Sequence, residues 1–232
     1  MTSRGKLIAL EGVDGAGKGT QSQLLGQALK ARGIVCAPFS FPRYESSFGR
    51  LIASFLNGEF GRLETIDAHL SALLYAGDRF EAKPELQAAL AAGNTILADR
   101  YIASNLAHQT ARVPPGQRSG FLSWLRHLEY DLYGLPAEDL VIYLRLPPTE
   151  AQQRVGRKEA RNYTTLGHDL QEADLQHLEQ ASDVYDLLAS QPNWVTVECV
   201  NPAAEGPRTP EEIQREVLAA VESLIFSGQP AR

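Results

Sequence analysis

The chain has few of the features that mark several large protein classes. Only two of its 232 residues are cysteines, Cys36 and Cys199, which lie far apart and outside any metal-ligand spacing. This argues against a disulfide scaffold or a cysteine-built metal site, and predicts buried, reduced thiols. No apolar run approaches the ~20 residues of a membrane span, and the short N-terminal apolar run ends at Glu11. We therefore expect no membrane partner, no signal peptide and a cytoplasmic location.

Positive charge is also scarce. The formal net charge is −6 and the pI is about 5.4. Because the basic footprint of a phosphate-backbone binder is missing, no nucleic-acid partner is expected. With 44% hydrophobic and 22% charged residues, the chain can bury a substantial core. We predict a single domain over residues 1–232, with a frayed tail at 227–232.

Short apolar runs alternate with helical segments along the chain. Several of the runs are apolar throughout, as strands buried on both faces of a parallel sheet should be. The predicted strands are Leu7–Leu10, Val35–Ser40, Thr95–Ala98, Leu140–Leu144 and Val195–Val197. This β-α-β alternation predicts an α/β fold with a parallel five-stranded sheet flanked by helices and ligands at the carboxyl ends of the strands.

Glycine and proline predict where two helices end or bend. Gly33 and Gly93 follow the helical segments Gln21–Arg32 and Ala68–Ala92, where C′ glycines belong. Pro84 is expected to kink or divide the second segment, because proline lacks the N–H of the helical ladder.

Two capping boxes are predicted further along. Thr149 with Gln152, and Thr209 with Glu212, have the spacing of a hydroxyl and an amide or acid that cap a helix reciprocally. The segment Asn201–Pro210, rich in proline and glycine, is predicted to be a surface loop.

A glycine-rich loop follows the first predicted strand and precedes a helix-prone segment. A Gly-x4-Gly-Lys spacing in this setting is typical of a P-loop, whose backbone N–H groups surround phosphate oxygens at a helix N-terminus. Lys18 then reaches the β- and γ-phosphates of a bound nucleotide. The predicted phosphate-binding residues are Gly12, Asp14, Gly15, Ala16, Gly17, Lys18, Gly19 and Thr20.

Charged residues follow two further predicted strands. Asp99 could hold Mg²⁺ or its waters, and Arg100 could hold a second phosphate bidentately. Arg43 and Tyr44 follow the second strand in the same way. The alternatives are an ordinary surface ion pair for the first pair and a solvated loop arginine for the second.

Tyr75 and Arg79 lie one helical turn apart, so both face the same way. An aromatic face beside a guanidinium suits a flat base with a carbonyl edge, although simple packing would produce the same spacing.

The segment 154–161 carries four cations in eight residues, Arg154, Arg157, Lys158 and Arg161. It is either a solvated helix face or, in a phosphoryl-transfer enzyme, a small Arg-rich lid over about residues 149–168 that closes on ATP.

Taken together, these motifs resemble a known family. GVDGAGKGTQ, FPRY, LLYAGDRFEA and DRYIASN, followed by an Arg-rich lid, are similar in kind and order to thymidylate kinases of the nucleoside monophosphate kinase group. The resemblance covers roughly residues 6–162. It implies a P-loop NTPase-type fold, ATP as phosphoryl donor, dTMP as acceptor, Mg²⁺ as cofactor and a homodimer. The Ala/Leu-rich segment Leu70–Leu90 could supply the dimer interface or pack inside the monomer.

The resemblance also implies roles for single residues. Asp14 meets the sugar 3′-hydroxyl, Tyr75 stacks on thymine, Arg79 bonds to a base carbonyl and Arg100 grips the acceptor phosphate. Asn105 and Gln109 fall in the segment that touches the base edge. The implied substrate-binding residues are Asp14, Arg43, Tyr44, Tyr75, Arg79, Arg100, Asn105, His108 and Gln109.

The implied catalytic residues are Lys18, Asp99 and Arg100 together with a lid arginine. Some family members carry a basic residue inside the P-loop, where this chain has Gly15, so it resembles those that supply the arginine from the lid. The candidates are Arg154, Arg157 and Arg161, and the sequence does not rank them.

Three positions depart from the family pattern. Gly19 stands where a Ser or Thr ligates Mg²⁺ in most relatives, which leaves Asp99 and Thr20 as the candidate metal residues. His108 stands where several bacterial relatives have a tyrosine that crowds the sugar 2′ position. Tyr44 stands where some relatives have a phosphate-gripping arginine, with Arg43 one residue earlier.

Three alternative functions are compatible with a P-loop in this chain. The nearest is a kinase for another or a broader range of nucleoside monophosphates, such as dUMP. A GTPase-type regulatory module would need Asn-Lys-x-Asp and Asp-x-x-Gly motifs, and neither occurs in a suitable place. A catalytically inactive relative is disfavoured because Lys18, Asp99 and Arg100 are retained.

Overall fold

The computed structural model describes residues 4–155, 175–201 and 206–226. A parallel sheet in the strand order β2-β3-β1-β4-β5 forms its centre. The strands are β1 (Leu7–Glu11), β2 (Cys36–Ser40), β3 (Thr95–Asp99), β4 (Leu140–Arg145) and β5 (Trp194–Glu198). Each predicted strand is present, with bounds that differ by one residue at most at either end. The predicted α/β fold with a parallel five-stranded sheet is confirmed.

The burial of each strand follows from its place in the sheet. All five residues of β1 are buried, because β3 and β4 pair with its two edges and helices cover its faces. The edge strands β2 and β5 keep several half-exposed or exposed positions. The continuous apolar run Leu7–Leu10 is therefore the sequence of the central strand.

Helices cover both faces of the sheet. They are α1 (Lys18–Ala31), α2 (Ser47–Leu56), α3 (Ala68–Ala91), α4 (Ile102–Ala111), α5 (Arg118–Arg126), α6 (Pro148–Val155), α7 (Leu175–Leu188) and α8 (Pro210–Phe226). A π-helix, His127–Leu132, continues α5, and short 3-10 turns occupy Leu63–Thr65 and Pro115–Gln117. Right-handed crossovers place α1 and α8 on one face and α3, α4 and α7 on the other. The contacts agree: α1 packs against α8, and α4 packs against both α3 and α7.

Two of the predicted helix ends are confirmed by their glycines. Gly33 has φ 77° and Gly93 has φ 80°, so both adopt the left-handed conformation that closes a helix. Of the two alternatives for Pro84, a divided helix is excluded, since α3 runs unbroken from Ala68 to Ala91 around it, and a kink stays a prediction.

One capping box is confirmed and the other is wrong. Thr209 accepts a bond from the Glu212 N–H at 3.2 Å, and the Glu212 carboxylate accepts from the Thr209 N–H at 2.8 Å. Thr149, in contrast, lies inside α6, because that helix already begins at Pro148. Proline is favoured at the first position of a helix, where its missing N–H is not needed, and this shifts the start by one residue.

The segment predicted as a surface loop, Asn201–Pro210, is partly ordered into secondary structure. Val200–Asn201 pairs with Gly206–Pro207 as a short antiparallel ladder of strands β6 and β7, and Pro210 begins α8. Most of the predicted lid, and the predicted tail at 227–232, lie outside the described residues. Within the described ranges, no helix combines the length and apolarity that a bilayer span requires.

The strand order fixes where ligands can enter. The chain leaves β1 toward β2 on one side and later returns through β3 to β4 on the other, so β1 and β3 flank the switch point of the sheet. Ligands of open α/β sheets bind in the crevice at such a point, at the carboxyl ends of the strands. The loop after β1 and the residues after β3 therefore face one cleft.

Candidate active site

A cleft of about 520 Å³ opens at this switch point. Residues from three strand ends and the first turn of α1 form its walls. They are Asp14, Gly15, Gly17, Lys18, Gly19, Thr20, Gln23, Ser40, Phe41, Pro42, Tyr44, Asp99 and Arg100. Most of the predicted phosphate-binding residues thus share one cavity with the two charged residues that follow β3. Gly12 and Ala16 belong to the same loop but do not line the cavity.

The P-loop conformation depends on its glycines. Gly12, Gly15 and Gly17 have φ of 139°, 85° and 93°, a range that residues other than glycine rarely adopt. Gly17 is the residue before α1, and no side chain of the described residues caps the N–H groups of that helix. Those N–H groups are left available to an anion at the helix N-terminus.

Lys18 is buried and points back into its own loop. Its Nζ donates to the Gly12 and Val13 carbonyls, both at 2.9 Å, and lies 4.0 Å from the Asp14 carboxylate. Burial lowers the pKa of Lys18 to about 8, and the nearby Arg100 adds to the effect. The groups around the ammonium therefore compensate its charge only weakly.

Arg100 is held in a strained backbone conformation. Its φ of 66° lies in the left-handed region, and within the described residues it is the one non-glycine residue with positive φ. Its Nη2 donates to the Asp14 carboxylate, and its backbone N–H donates to the Leu10 carbonyl at 3.1 Å. Burial alone would lower the pKa of Arg100, but Asp14, Asp99 and Glu11 outweigh it and raise that pKa. Such strain is found where surrounding structure over-determines a functional side chain.

A buried network that the sequence did not reveal supports Arg100 from behind. Arg100 Nη1 lies 3.2 Å from the Ser104 hydroxyl, which donates to Glu11 at 2.6 Å. Tyr185 also donates to Glu11, at 3.0 Å. Glu11 is fully buried at the end of β1, directly before the P-loop. The network therefore fixes the position of Arg100 relative to the end of β1, where the P-loop begins.

His108 lies within this network. Its Nε2 is 3.4 Å from Arg100 Nη1, and its Nδ1 is 3.3 Å from Nε2 of His177 on α7. Burial lowers the pKa of His108 well below its usual value, and the cation of Arg100 lowers it further. A neutral His108 with its proton on Nδ1 satisfies both contacts, since Nε2 can then accept from Arg100. The side chain predicted near the sugar thus also contacts the arginine predicted at the acceptor phosphate.

Arg43 and Tyr44 face different ways. Arg43 is bound to α3, where its Nε donates to the Asp78 carboxylate at 3.2 Å and its Nη2 donates to the Asp78 carbonyl at 3.1 Å. The Asp78 carboxylate also accepts from the Ser46 hydroxyl at 2.8 Å. Tyr44 lines the cleft, whereas Arg43 does not. Of this pair, Tyr44 borders the cavity, whereas the guanidinium of Arg43 is bound to α3.

The residues predicted at the base lie between α3 and α4. Tyr75 is half-buried and meets the Phe55 ring edge-on, with centroids 6.4 Å apart. Asn105 and Gln109 on α4 are buried, and Gln109 accepts a bond from Ser71 of α3 at 2.7 Å. These predicted residues are brought together, beside the cleft rather than among the residues that line it.

Arg79 is buried and paired with a carboxylate from another element. Its Nε and Nη2 each donate to Glu129 at 2.6 Å, in a bidentate ion pair that leaves 2% of Arg79 and none of Glu129 exposed. Burial disfavours the charged guanidinium, but the pair with Glu129 outweighs this and raises the pKa of Arg79. Glu129 was missed by the sequence interpretation. Its signal is its position four residues after the buried Leu125, on the apolar face of a helix.

Arg154 is the one predicted lid arginine inside the described ranges. The last turn of α6 packs directly on the P-loop: a Cβ at Gly15 would lie 2.8 Å from the Ala151 carbonyl and 3.3 Å from the Arg154 Cβ. No side chain fits at position 15, which explains why the P-loop has no basic residue there. Arg157 and Arg161 lie outside the described residues.

The donor set fits a magnesium ion that is held mainly by a nucleotide. Mg²⁺ is commonly bound by one or two carboxylates together with substrate phosphates and waters. Asp99 and Thr20 line the cleft, and a Cβ at Gly19 would lie 3.0 Å from Asp99 Oδ2. Within the described part of the chain, no group of three potential His, Cys, Asp or Glu ligands occurs. The protein thus offers the Asp99 carboxylate beside the phosphate loop, and Gly19 leaves space for it.

Comparison with known proteins agrees with this arrangement. The sequence model of the thymidylate kinase family matches residues 10–206. Thymidylate kinase from Mycobacterium tuberculosis is 34% identical over 186 residues, covering 80% of this chain and 86% of that protein. Thymidylate kinase from Danio rerio is 30% identical over 222 residues, covering 96% and 92%. A solved structure of thymidylate kinase from Candida albicans, described as having broad substrate specificity, superposes with a TM-score of 0.74 at 22% identity, over 96% of this chain and 93% of that one.

Proposed function

Because the chain belongs to the thymidylate kinase family, we propose that it transfers the γ-phosphoryl group of ATP to dTMP, giving ADP and dTDP. The observation that carries the proposal is the single cleft in which the P-loop meets Asp99 and Arg100. One anion site lies at the P-loop and the N-terminus of α1, and the guanidinium of Arg100 borders the same cleft. Two phosphate-bearing ligands can therefore face each other across the cleft.

Electrostatics is the main task of such a site. The oxygens of a monophosphate are already ionised near neutral pH, so the acceptor needs no general base. Two unit charges 4 Å apart repel by about 4 kcal/mol at an effective dielectric constant of 20. Lys18 and Arg100 offset this repulsion and stabilise the charge that spreads over the transferring phosphoryl group.

Lys18 is expected to leave its present contacts when ATP binds. Its two carbonyl acceptors, at Gly12 and Val13, are neutral and belong to its own loop. Phosphate oxygens are stronger acceptors for an ammonium group, so a rotation of the side chain toward the cleft is favourable. The same interaction restores the positive charge that burial disfavours.

Arg100 is expected to bind the acceptor phosphate. Asp14 contacts Nη2 of its guanidinium, while Ser104 and His108 contact Nη1, and these contacts preorganise the side chain. Asp14 then meets the sugar 3′-hydroxyl of the acceptor, and Tyr44 borders the same side of the cleft. Preorganised donors of this kind account for much of the rate enhancement in phosphoryl transfer.

The base of the acceptor is assigned to the group between α3 and α4. Tyr75 provides the stacking surface, Arg79 a donor, and Asn105 and Gln109 polar groups for the base edge. Asn105 and Gln109 lie on α4, whose Ser104 and His108 contact Arg100, and this supports the assignment. The base end and the phosphate end of one nucleotide can then be held together.

Asp99 and Thr20 would hold the magnesium ion of the nucleotide. When bound, the ion neutralises the β- and γ-phosphates and orients them for transfer. A lid arginine completes the charge stabilisation. Of the three candidates, Arg154 is supported by the contact between α6 and Gly15.

The decisive test is product analysis with γ-labelled ATP and dTMP. Labelled dTDP should form in wild-type protein, and Lys18→Met should lower turnover by about 10³-fold. ATP hydrolysis without labelled dTDP, in protein that binds ATP, would exclude a thymidylate kinase. Equal labelling of dTMP, dUMP and UMP would instead favour a kinase with broad acceptor range.

The assembly and location of the protein are further proposals. Leu70, Leu73 and Phe80 lie on one face of α3 and are 50%, 37% and 46% exposed, which supports a homodimer through this face. Both cysteines are free, in keeping with a cytoplasmic site of action. Sedimentation of the wild type against Leu73→Glu tests the dimer: the variant should sediment as a monomer, and a monomeric wild type would contradict the proposal.

A further inference from the structure

The buried carboxylate of Glu129 binds two predicted base-binding residues at once. Its Oε1 accepts from Arg79 Nη2 at 2.6 Å and from Asn105 Nδ2 at 2.8 Å, and its Oε2 accepts from Arg79 Nε at 2.6 Å. Arg79 and Asn105 come from different helices, α3 and α4. The shared oxygen therefore fixes them side by side.

This contact determines which way round the Asn105 amide lies. The atom of the amide that approaches Glu129 also lies 3.0 Å from the Ala72 carbonyl. Both neighbours are acceptors, so that atom must be the nitrogen, since an oxygen there would face two other oxygens. Glu129 and Ala72 thus hold the amide in one of its two orientations.

The other end of the amide is unsatisfied. Asn105 Oδ1 is buried and has no hydrogen-bond partner among the described residues. Leaving a buried acceptor without a partner is unfavourable, because the atom has lost its hydrogen bonds to water. An acceptor of this kind beside a buried guanidinium needs an explanation, and a ligand that brings a donor to it is the simplest.

We propose that Glu129 is a positioning residue that sets the acceptor specificity: it presents a donor, Arg79, beside an acceptor, Asn105 Oδ1, to a pyrimidine edge. The proposal rests on the proposed function. Thymine and uracil have a carbonyl at position 4 beside an N–H at position 3, which matches this pair. Cytosine has an amino group at position 4 beside an unprotonated nitrogen at position 3, so both contacts are mismatched.

The placement of Glu129 supports a specific role. It lies in the π-helix His127–Leu132, a rare geometry that is often found at functional sites. The preceding helix, α5, buries Phe121 and Leu125 on one face, and Glu129 is on the continuation of that face. An apolar residue would pack there without a partner, whereas the acid needs the guanidinium. Glu129 is thus held in the core by its contacts to Arg79 and Asn105.

The test compares acceptors in Glu129→Gln. The amide that this substitution introduces has one acceptor atom instead of two, so it cannot accept from Arg79 at both positions, and Arg79 and Asn105 are no longer fixed side by side. The wild type should prefer dTMP over dCMP by about 10⁴-fold in kcat/KM, as sites that read polar groups do. In the variant this ratio should fall by about 10–100-fold. The ratio of kcat/KM for dUMP over dCMP should fall by a similar factor, because uracil and thymine have the same edge.

Glu138→Gln is the matched control. Glu138 is also a buried glutamate, bonded to Tyr130 rather than to a predicted base-binding residue. This control should leave the dTMP:dCMP ratio unchanged. A purely structural Glu129 would lower kcat/KM for dTMP and dCMP equally in Glu129→Gln, and that result would overturn the proposal while leaving the kinase function intact.

Two further outcomes are distinguishable. If Glu129→Gln does not fold, Asn105→Leu carries the test, because it removes the acceptor that Glu129 orients; an unchanged ratio in that variant overturns the proposal. If the wild type phosphorylates no acceptor, the proposed function itself fails. If both variants fold, the double variant should lower the ratio by less than the product of the two single effects, since both disrupt the same Arg79–Asn105 pair.

Discussion

ATP binding should draw a proton onto Lys18. Burial lowers the pKa of this lysine from 10.5 to about 8. The difference means that keeping the buried ammonium charged costs about 3 kcal/mol. A bound triphosphate restores the charge, so the lysine returns to an ordinary or higher pKa. With these values, ATP binding should take up about 0.7 proton at pH 8.5 and about 0.1 proton at pH 7 through Lys18.

Calorimetric titrations of ATP in buffers of different ionisation enthalpy measure this uptake directly. At about pH 8 and above, ATP itself is fully ionised, so its own titration does not interfere. Lys18→Met should bind ATP more weakly and abolish the pH-dependent uptake, whereas Lys30→Met, on the exposed side of α1, should behave as the wild type. An uptake near zero at pH 8.5 in the wild type would show that Lys18 is already protonated before ATP binds, and an unchanged uptake in Lys18→Met would show that the proton goes to another group.

Three further predictions concern other parts of the molecule. Arg100→Ala should lower turnover by about 10³-fold at saturating ATP, and near-normal turnover in a steady-state assay would remove it from the acceptor site. Gly15→Ala should lower the free energy of unfolding by about 1–2 kcal/mol because of the positive φ, and by more because the new Cβ clashes with the Ala151 carbonyl. Gly33→Ala is the control, since Gly33 also has a positive φ but has open space around it, so only the φ contribution should be lost. Equal losses for the two variants in urea unfolding would disprove the contact between Gly15 and Ala151. Burial raises the pKa of Glu138 from 4.5 to about 7. At pH values between these two pKa values, the folded chain binds more protons than the unfolded chain, so the free energy of unfolding falls as the pH rises through this range. Glu138→Gln should therefore be nearly neutral at about pH 4 and up to about 3 kcal/mol more stable than the wild type at about pH 8; a pH-independent difference would contradict this.

The sequence predicted those parts of the fold that local signals encode. The five strands were recognisable because strands in a parallel sheet are apolar throughout, and Leu7–Leu10 is the clearest case. The helix end at Gly33 and the Thr209 capping box were also recognisable, because both depend on residues that are close together in the sequence. Thr149 shows the limit of this approach. Its spacing to Gln152 is correct, but the preceding Pro148 already begins the helix.

The supports of the candidate site could not be predicted in the same way. Arg79 pairs with Glu129, and Arg43 with Asp78, across long separations in the chain, and no local pattern marks such partners. In the sequence, Arg100 and Arg43 look alike, because each follows a strand and each could bind a phosphate. In the structure, Arg100 faces the cleft, whereas Arg43 faces a neighbouring helix. Only the packing of α3 against the second strand end distinguishes the two.

The arrangement explains how one sheet edge can serve two nucleotides. The P-loop after β1 provides backbone donors and Lys18, while the end of β3 provides Asp99 and the strained Arg100. Glu11 links the two ends, because it accepts from the Tyr101 N–H at 2.7 Å and from the Ser104 hydroxyl. The residues that follow β3 are therefore fixed to the end of β1, from which the P-loop starts.

The acceptor specificity of the cleft can be measured by ADP release with ATP and Mg²⁺ against a panel of acceptors: dTMP, dUMP, UMP, dCMP, dGMP and AMP. The account predicts the highest kcat/KM for dTMP, reduced rates with dUMP and UMP, and negligible rates with dCMP and the purine nucleotides. Turnover with none of the acceptors, in protein that binds ATP, or a preference for AMP or dGMP, would contradict the claim that this cleft is built for thymidylate.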